Sequence, residues 1–447
     1  MGKRLSHIAP GFIVFLSFVV VIILGTFALM HPACRLQPIS FLDLLFTATS
    51  VTCVTGLFTV PLSQFTTTGQ GVLLALMQIG GLGLITLSVF LISMLGNLGL
   101  STKMMAGQLL DLDDSSNVRD IILFIVRLTL CVELVGLVIS FFVFRQNYPA
   151  DYSLFLAAFH SVSSFCNAGI TIFENSLIDY NTNVLLLLTT IGLMLVGSFG
   201  FITWKEIMQY VRSFSKRKRY AFSLHSKIIL YGSAVIILWT TLLLLMLEDH
   251  GSYGSMSMPF RLLNAFFDAV SFRGVGFITT AVSSMRPATL LTALGVSFIG
   301  ASPLSTGGGI KITTLVVILA TIKAALAGRM TVRISNRELV PVQVHKALAI
   351  VMISIFWVIV TTFCLVITET QGTFFQIVVE SISAFTNLGI SAGLTASLSI
   401  LGKIIIMFSM LMGRIGSITM VLALRQLAMG EDRSGIEYSY PEERVMF

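Results

Sequence analysis

Ser50-Val51-Thr52-Cys53-Val54-Thr55-Gly56 decides the reading of this chain, because the sequence returns to its pattern three more times. Aligned on the last glycine, the echoes are Ser163-Ser164-Phe165-Cys166-Asn167-Ala168-Gly169, Val270-Ser271-Phe272-Arg273-Gly274-Val275-Gly276 and Ser383-Ala384-Phe385-Thr386-Asn387-Leu388-Gly389. The four glycines stand 113, 107 and 113 residues apart, a fourfold internal repeat that is weak in identity and strong in pattern. Each loop follows a short apolar segment (41–49, 154–162, 262–269, 374–382) and lies between two longer apolar runs. Long run, short helix, glycine loop, long run is the order of a pore-loop unit, and four such units in one chain can surround one axis.

Composition agrees. The 447 residues are 55% hydrophobic and 11% charged, usage that excludes an ordinary soluble globular protein. A helix needs about 20 apolar residues to cross the hydrocarbon core. Eight runs suffice: 8–30, 71–95, 121–143, 184–207, 228–247, 290–326, 347–367 and 401–424, the sixth overlong and interrupted. The expected fold is therefore an all-α polytopic membrane protein with four pseudo-repeats of helix, pore loop and helix around one central pore, giving eight transmembrane helices and four pore helices. The repeats divide as 1–100, 101–215, 216–330 (with the broken helix) and 331–427, followed by a tail over 428–447.

The first run, behind Lys3 and Arg4, reads as a spanning segment rather than a cleaved leader. With the amino terminus inside, the inner segments hold 19 basic residues and the outer ones five (Arg35, Arg145, Arg261, Arg286, Lys403), so both termini are expected in the cytoplasm. Lys216-Arg217-Lys218-Arg219 is then a topology signal between repeats, and the net charge of +7 requires no nucleic-acid partner. Acidic residues such as Asp43, Asp151, Glu174 and Asp179 gather on the outer face, a sign that concentrates cations at a mouth.

An ion leaving water needs its hydration shell replaced, which backbone carbonyls do when several residues aim them at one axis. The crowded backbone this requires calls for a position without a β-carbon, and irregular backbone is tolerated at membrane depth where it lines a watery cavity. Short helices aimed there with their carboxyl ends add partial negative charge. The side chains of Thr52, Cys53, Thr55, Cys166, Asn167, Thr386 and Asn387 are small and neutral, so carbonyls rather than a carboxylate ring are expected to select the ion. The alternative is that the glycines serve helix packing.

These pieces resemble the Trk/Ktr/HKT superfamily of potassium transporters, most closely the KtrB-type membrane subunit of bacteria. The resemblance rests on Thr55-Gly56-Leu57, Phe165-Cys166-Asn167-Ala168-Gly169, Arg273-Gly274-Val275-Gly276-Phe277 and Ala384-Phe385-Thr386-Asn387-Leu388-Gly389, and covers all four repeats. It implies a filter carried by the backbone of Thr52, Cys53, Val54, Thr55 and Gly56, Phe165 to Gly169 (Phe165, Cys166, Asn167, Ala168, Gly169), Phe272, Arg273, Gly274, Val275 and Gly276, and Phe385, Thr386, Asn387, Leu388 and Gly389, with K+ at Gly56, Gly169, Gly276 and Gly389. Members with serine in the first filter tend toward sodium, so Gly56 points to potassium. A sodium or mixed monovalent cation transporter on the same fold is the alternative, and Na+ is either coupled or an activator.

In residues 299–311, Ile-Gly-Ala-Ser-Pro-Leu-Ser-Thr-Gly-Gly-Gly-Ile-Lys cannot remain an ordinary helix, since glycine costs roughly 1 kcal/mol and proline about 3 in a helix interior. The phosphate-loop spacing is missing. The resemblance makes this stretch an intramembrane gating loop, with Ala301, Ser302, Ser305, Thr306, Gly307, Gly308, Gly309 and Lys311 in it and Arg414 as a cationic constriction below the filter. Lys311 at membrane depth costs on the order of 2.5–3.5 kcal/mol on insertion scales and needs water or a partner; Arg414 is the expected companion, the alternative being that both snorkel or bond helix carbonyls.

Thr47, His160, Asp268 and Glu380 occupy equivalent pore-helix positions and read as supports for the filter. Arg127 and Glu133 receive no function, and Gly80-Gly81-Leu82-Gly83 reads as close helix packing. The five cysteines show no metal spacing. A hydrolytic membrane enzyme would need a nucleophile and base at membrane depth, which the sequence does not present; the chain is expected not to be an enzyme and to hold no cofactor of its own. The resemblance further implies a homodimer in the bacterial cell membrane on a cytosolic nucleotide-binding ring of the KtrA type, the nucleotide lying on that partner. The tail Ile436-Glu437-Tyr438-Ser439-Tyr440-Pro441-Glu442-Glu443-Arg444 resembles the family's ending at that interface, a solvated tail being the alternative.

Overall fold

The structure, a computed structural model, describes residues 10–83, 118–215, 220–249, 251–254, 256–329 and 331–421. Lys3, Arg4, Lys103, the basic run 216–219 and the tail lie outside the described residues. Repeat 1 contains α1 (Pro10–Met30), the pore helix α2 (Phe41–Thr52) and α3 (Thr67–Leu82). Repeat 2 contains α4 (Val118–Phe144), the pore helix α5 (Ala150–Phe165), α6 (Val184–Ser198) and α7 (Phe201–Ser215). Repeat 3 contains α8 (Leu224–Glu248), the pore helix α9 (Met258–Ser271), α10 (Pro287–Phe298) and α11 (Ile312–Leu326). A two-residue hairpin, β1 (Arg333–Ile334) paired with β2 (Arg337–Glu338), leads to repeat 4, with α12 (Pro341–Thr368), the pore helix α13 (Phe374–Thr386) and α14 (Ile400–Ile415).

The helix starts are written locally. Ser40, Thr66, Asn183, Ser223 and Ser399 each cap a helix through a side-chain oxygen that accepts a backbone N–H of the first turn. Thr373 and Gln376 form a reciprocal capping box on α13, and proline opens α9, α10 and α12, where its missing N–H costs nothing. The pore helices outrun the expected apolar segments: α5 begins at Ala150 rather than 154 and α9 at Met258 rather than 262, because a first turn accommodates Asp151 and Arg261 without burying them.

The helices of each repeat are unequal in length. By length and composition, the first helices of the repeats, α1, α4, α8 and α12, can cross a membrane. The second helices are short: α3, α6, α10 and α14 have 16, 15, 12 and 16 residues, at most roughly 24 Å at 1.5 Å per residue. A break was expected only in the sixth run. In fact α3 ends at Gly83 (φ 80°), α14 at Gly416 (φ 95°), and α6 meets α7 at 104° across Gly200 (φ 80°). Each of these helix ends carries left-handed backbone that only glycine adopts without strain.

The repeats close into a ring. The second helix of each repeat packs on the pore helix of the next: α3 on α5, α6 on α9, α10 on α13, and α14 back on α2. The core lies at these junctions, where Phe144, Phe267, Phe272 and Phe277 are fully buried between repeats 2 and 3, and Phe159, Phe165 and Val51 between repeats 1 and 2. Leu24, Phe27, Phe142, Trp239, Met246, Phe356 and Phe363 face outward on the first helices, as a chain solvated by lipid requires.

Candidate ion pathway

The four loops share one backbone path. The residue two before each filter glycine is left-handed: Val54 (φ 58°), Asn167 (57°), Gly274 (102°) and Asn387 (55°). The glycines are left-handed too: Gly56 (88°), Gly169 (63°), Gly276 (93°) and Gly389 (80°). Each also abuts the loop of the following repeat. A β-carbon on Gly56 would lie 2.9 Å from the Ala168 carbonyl oxygen, and one on Gly169, Gly276 or Gly389 would fall still closer to the carbonyl oxygens of Val275, Leu388 and Thr55. Thr55, Ala168, Val275 and Leu388 are the residues just before the four glycines, so their carbonyls succeed one another around a closed ring. Packing between helices, the alternative reading of these glycines, does not account for this register.

Serines anchor the loops to the ends of their pore helices. Thr55 N, Ala168 N and Leu388 N donate to the carbonyls of Ser50, Ser163 and Ser383 at 2.8, 2.9 and 3.0 Å, and Val275 N to Ser271 O at 2.9 Å. Ser50 Oγ accepts Gly56 N at 3.1 Å, while Ser163 Oγ and Ser271 Oγ donate to Ile170 O and Phe277 O at 2.7 and 2.6 Å. All four pore helices thus end at the ring, directing partial negative charge toward it. Beyond the ring, an open vestibule of about 480 Å3 is lined by all four of these glycines together with Phe58, Glu174 and Ser391.

The polar pore-helix residues bond to neighbouring segments. Asp268 accepts Tyr253 Oη at 2.7 Å and Thr279 Oγ1 at 3.2 Å; Glu380 accepts Thr395 Oγ1 at 2.7 Å and also Ser391 Oγ; His160 Nε2 pairs with Thr190 Oγ1 at 2.8 Å. Thr47 donates only to its own helix at Asp43 O, 2.8 Å, and the cross-link in repeat 1 is made one turn earlier by Asp43, which accepts Thr59 Oγ1 at 2.8 Å and Lys403 Nζ at 2.7 Å. Burial would raise the Asp43 carboxyl, but hydrogen bonds from Lys403, Ser40 and Thr59 outweigh it and leave its pKa below the ordinary 3.8. The sequence reading missed the hydroxyl partners, although Thr59 and Thr279 each stand three residues after a filter glycine. The fully buried guanidinium of Arg273 bonds Ser233 Oγ on α8, 3.1 Å away.

The glycine-rich stretch runs directly beneath the loops. Asn167 Nδ2 donates to Thr306 Oγ1 at 2.6 Å, and Thr306 Oγ1 donates to Phe165 O at 3.0 Å. A β-carbon on Gly308 would meet Asn387 Oδ1 and Thr386 O, so the stretch bridges the second and fourth loops. Ser302 N and Thr306 N donate to Ser198 O and Gly197 O at the end of α6, Ser305 Oγ donates to Ser302 O at 2.6 Å, and Ala301 O accepts Ile312 N. Gly309 turns the chain into α11 with φ 72°. Lys311 Nζ donates to Gly307 O at 2.7 Å. Arg414 donates to Thr306 O and Gly80 O, and to Gly81 O at 3.0 Å. Lys311 and Arg414 therefore meet through the loop's carbonyls rather than through an acid. Gly80 and Gly81 do pack closely, against Thr52 O and Cys166 Sγ, but their carbonyls also hold Arg414, which the packing reading did not foresee.

A family model described as "TrkH: Cation transport protein" matches residues 9–433. Among curated proteins, the Ktr system potassium uptake protein B of Bacillus subtilis is 34% identical over 433 residues, 96% of this chain and 95% of that protein. The potassium/sodium uptake protein NtpJ of Enterococcus hirae is 30% identical over 455 residues, 100% and 99% of the two chains. Among solved structures, the potassium transporter TrkH from Vibrio parahaemolyticus superposes with a TM-score of 0.73 over 93% of this chain and 84% of its own, at 20% identity, which establishes likeness of fold.

Proposed function

The chain belongs to the TrkH cation transport protein family, and from that premise we propose that it is the membrane subunit of a potassium uptake system. The ion passes down its electrochemical gradient through a filter made by the backbone of residues 52–56, 165–169, 272–276 and 385–389, with K+ at the four glycines. The observation that carries this reading is the closed succession of Thr55, Ala168, Val275 and Leu388 carbonyls against left-handed glycines of neighbouring repeats. Such a cage replaces hydration water around a monovalent cation without a fixed anionic ring. Residues 301–309 with Lys311 and Arg414 form the gate, supported by the bonds of Thr306 to Phe165 O of the second loop and to Arg414, by the bond of Lys311 to Gly307 O, and by the close approach of Gly308 to Thr386 and Asn387 of the fourth loop.

The finer assignments rest on the resemblance and on charge. Both termini lie in the cytoplasm of a bacterial cell, the subunit pairs as a homodimer, and a cytosolic nucleotide-binding ring controls the gate. A second reading, sodium or mixed-cation transport, draws support from the relative named for both ions.

Uptake of K+ and Na+ in cells stripped of their own potassium uptake systems, with a cognate ring co-expressed, tests the reading. Potassium-selective uptake that loses its preference in Gly56→Ser and leaks after deletion of residues 301–309 is the expected result. A chain that reaches the membrane and carries no potassium overturns it.

A further inference from the structure

Glu133 lies in the middle of α4, a span by length and composition, and is 8% exposed. A carboxyl group at membrane depth is expensive and marks a partner or a function. Its partners lead to the filter. Glu133 Oε2 accepts Gln78 Nε2 from α3 at 3.2 Å, and Gln78 Oε1 accepts the Cys166 thiol of the second loop at 3.8 Å. The Glu133 backbone oxygen accepts Ser161 Oγ of the pore helix α5 at 2.6 Å. The remaining carboxyl oxygen, Oε1, is buried without a partner. A β-carbon on Gly81 would fall on Cys166 Sγ, so α3 is pressed against the back of the loop.

Helix packing alone does not explain this residue, because an apolar side chain would fill the site without an orphaned oxygen. What a carboxyl group supplies is an acceptor on the Gln78 side. A glutamine amide has a donor end and an acceptor end. With the donor end engaged by Glu133, the acceptor end faces Cys166; turned over, the amide would present N–H groups to the thiol and leave it without an acceptor.

We propose that Glu133 is a specificity-positioning residue of the second filter loop, orienting the Gln78 amide so that Cys166 is held behind the ion pathway. The inference rests on the filter reading of Phe165–Gly169. Its structural consequence is that the second loop is stiffened from outside its own repeat, through a helix of repeat 1.

The test uses the full chain co-expressed with its ring and reads the K+/Na+ uptake ratio. Glu133→Gln keeps an acceptor oxygen toward Gln78 and should keep the wild-type ratio. Glu133→Leu and Gln78→Leu should each lower it by about two- to tenfold, the change carried by one net hydrogen bond, and the double variant should lower it no further. In parallel, the S–H stretching band of Cys166, identified by its loss in Cys166→Ser, should move to higher wavenumber in whichever leucine variant reaches the membrane. An unchanged ratio or an unshifted band in a leucine variant present at wild-type level overturns the proposal, as does a Glu133→Gln ratio that falls as far as that of Glu133→Leu. If neither leucine variant reaches the membrane while Glu133→Gln does, with ratio and band unchanged in Gln78→Ala, the chain positions nothing and the proposal fails. A wild-type chain with no potassium uptake defeats the filter reading itself.

Discussion

At the scale of the residue, the four glycines of the proposed filter are equivalent in pattern and unequal in space. A β-carbon at Gly56 would sit 2.9 Å from its neighbouring carbonyl, whereas at the other three it would be driven into the oxygen. Left-handed backbone adds about 1–2 kcal/mol for any L side chain at all four. Alanine substitution should therefore reduce potassium uptake least at Gly56 and abolish it at Gly169, Gly276 and Gly389, measured as initial uptake rate per protein in the membrane. Equal losses at all four would contradict the geometry. Val54 is a second inequality: where its counterparts are Asn167, Gly274 and Asn387, a β-branched residue carries φ 58°. Val54→Gly gives up buried contacts but relieves that strain, so it should lower the melting temperature less than Val51→Gly in the adjacent helix α2, where glycine adds roughly 1 kcal/mol of helix cost. The glycines were legible because only their type satisfies the backbone. The hydroxyls of Thr59, Thr279 and Thr395 were not, because a threonine in a loop announces no partner until the fold brings a pore-helix carboxylate to it.

At the scale of the element, the stretch between α10 and α11 is fastened at identifiable points. Arg414 ties Thr306 to the end of α3, and Thr306 also bonds Phe165 O and Asn167. Arg414→Lys offers a single ammonium where a planar fork reaches several carbonyls, so on the proposed gating reading it should raise basal potassium leak, read as efflux from cells expressing the chain alone, and Arg414→Gln should raise it further. Thr306→Val, which keeps the shape and removes the hydroxyl, should raise leak by about two- to tenfold if one net hydrogen bond is lost; an unchanged efflux would show that the stretch is not fastened there. The interruption in repeat 3 was legible because three glycines and a proline cluster in 299–311. The helix ends at Gly83, Gly200 and Gly416 were not, since a single glycine in an apolar run also suits helix packing, and its type does not announce which of the two backbone conformations it will take.

At the scale of the whole molecule, the ring closes where α14 packs on α2, and there Lys403 and Asp43 form an ion pair across the first and fourth repeats, with 15% and 18% of their side chains exposed. The folded-state pKa of Asp43 is depressed, so the pair stabilises the fold above the ordinary value of 3.8 and that contribution is lost as pH falls through and below it. Asp43→Asn should destabilise the fold at pH 7 by on the order of 0.5–1 kcal/mol, as expected of a partly exposed pair, read as a lowered melting temperature, and the gap from wild type should shrink as pH falls below about 3.8. A gap that persists in acid would assign the effect to packing instead. The sequence by itself determined that the chain lives in a membrane, that it is built from four related units, and which glycines define them, because hydrophobic length, period and backbone permissiveness are local properties. Tertiary structure alone decided which carbonyl faces which glycine, that Arg414 seizes the ends of α3 and of the broken stretch together, and that Glu133 reaches the second loop through Gln78. Those relations join residues more than 50 positions apart, and only the closure of the ring brings them within hydrogen-bond distance.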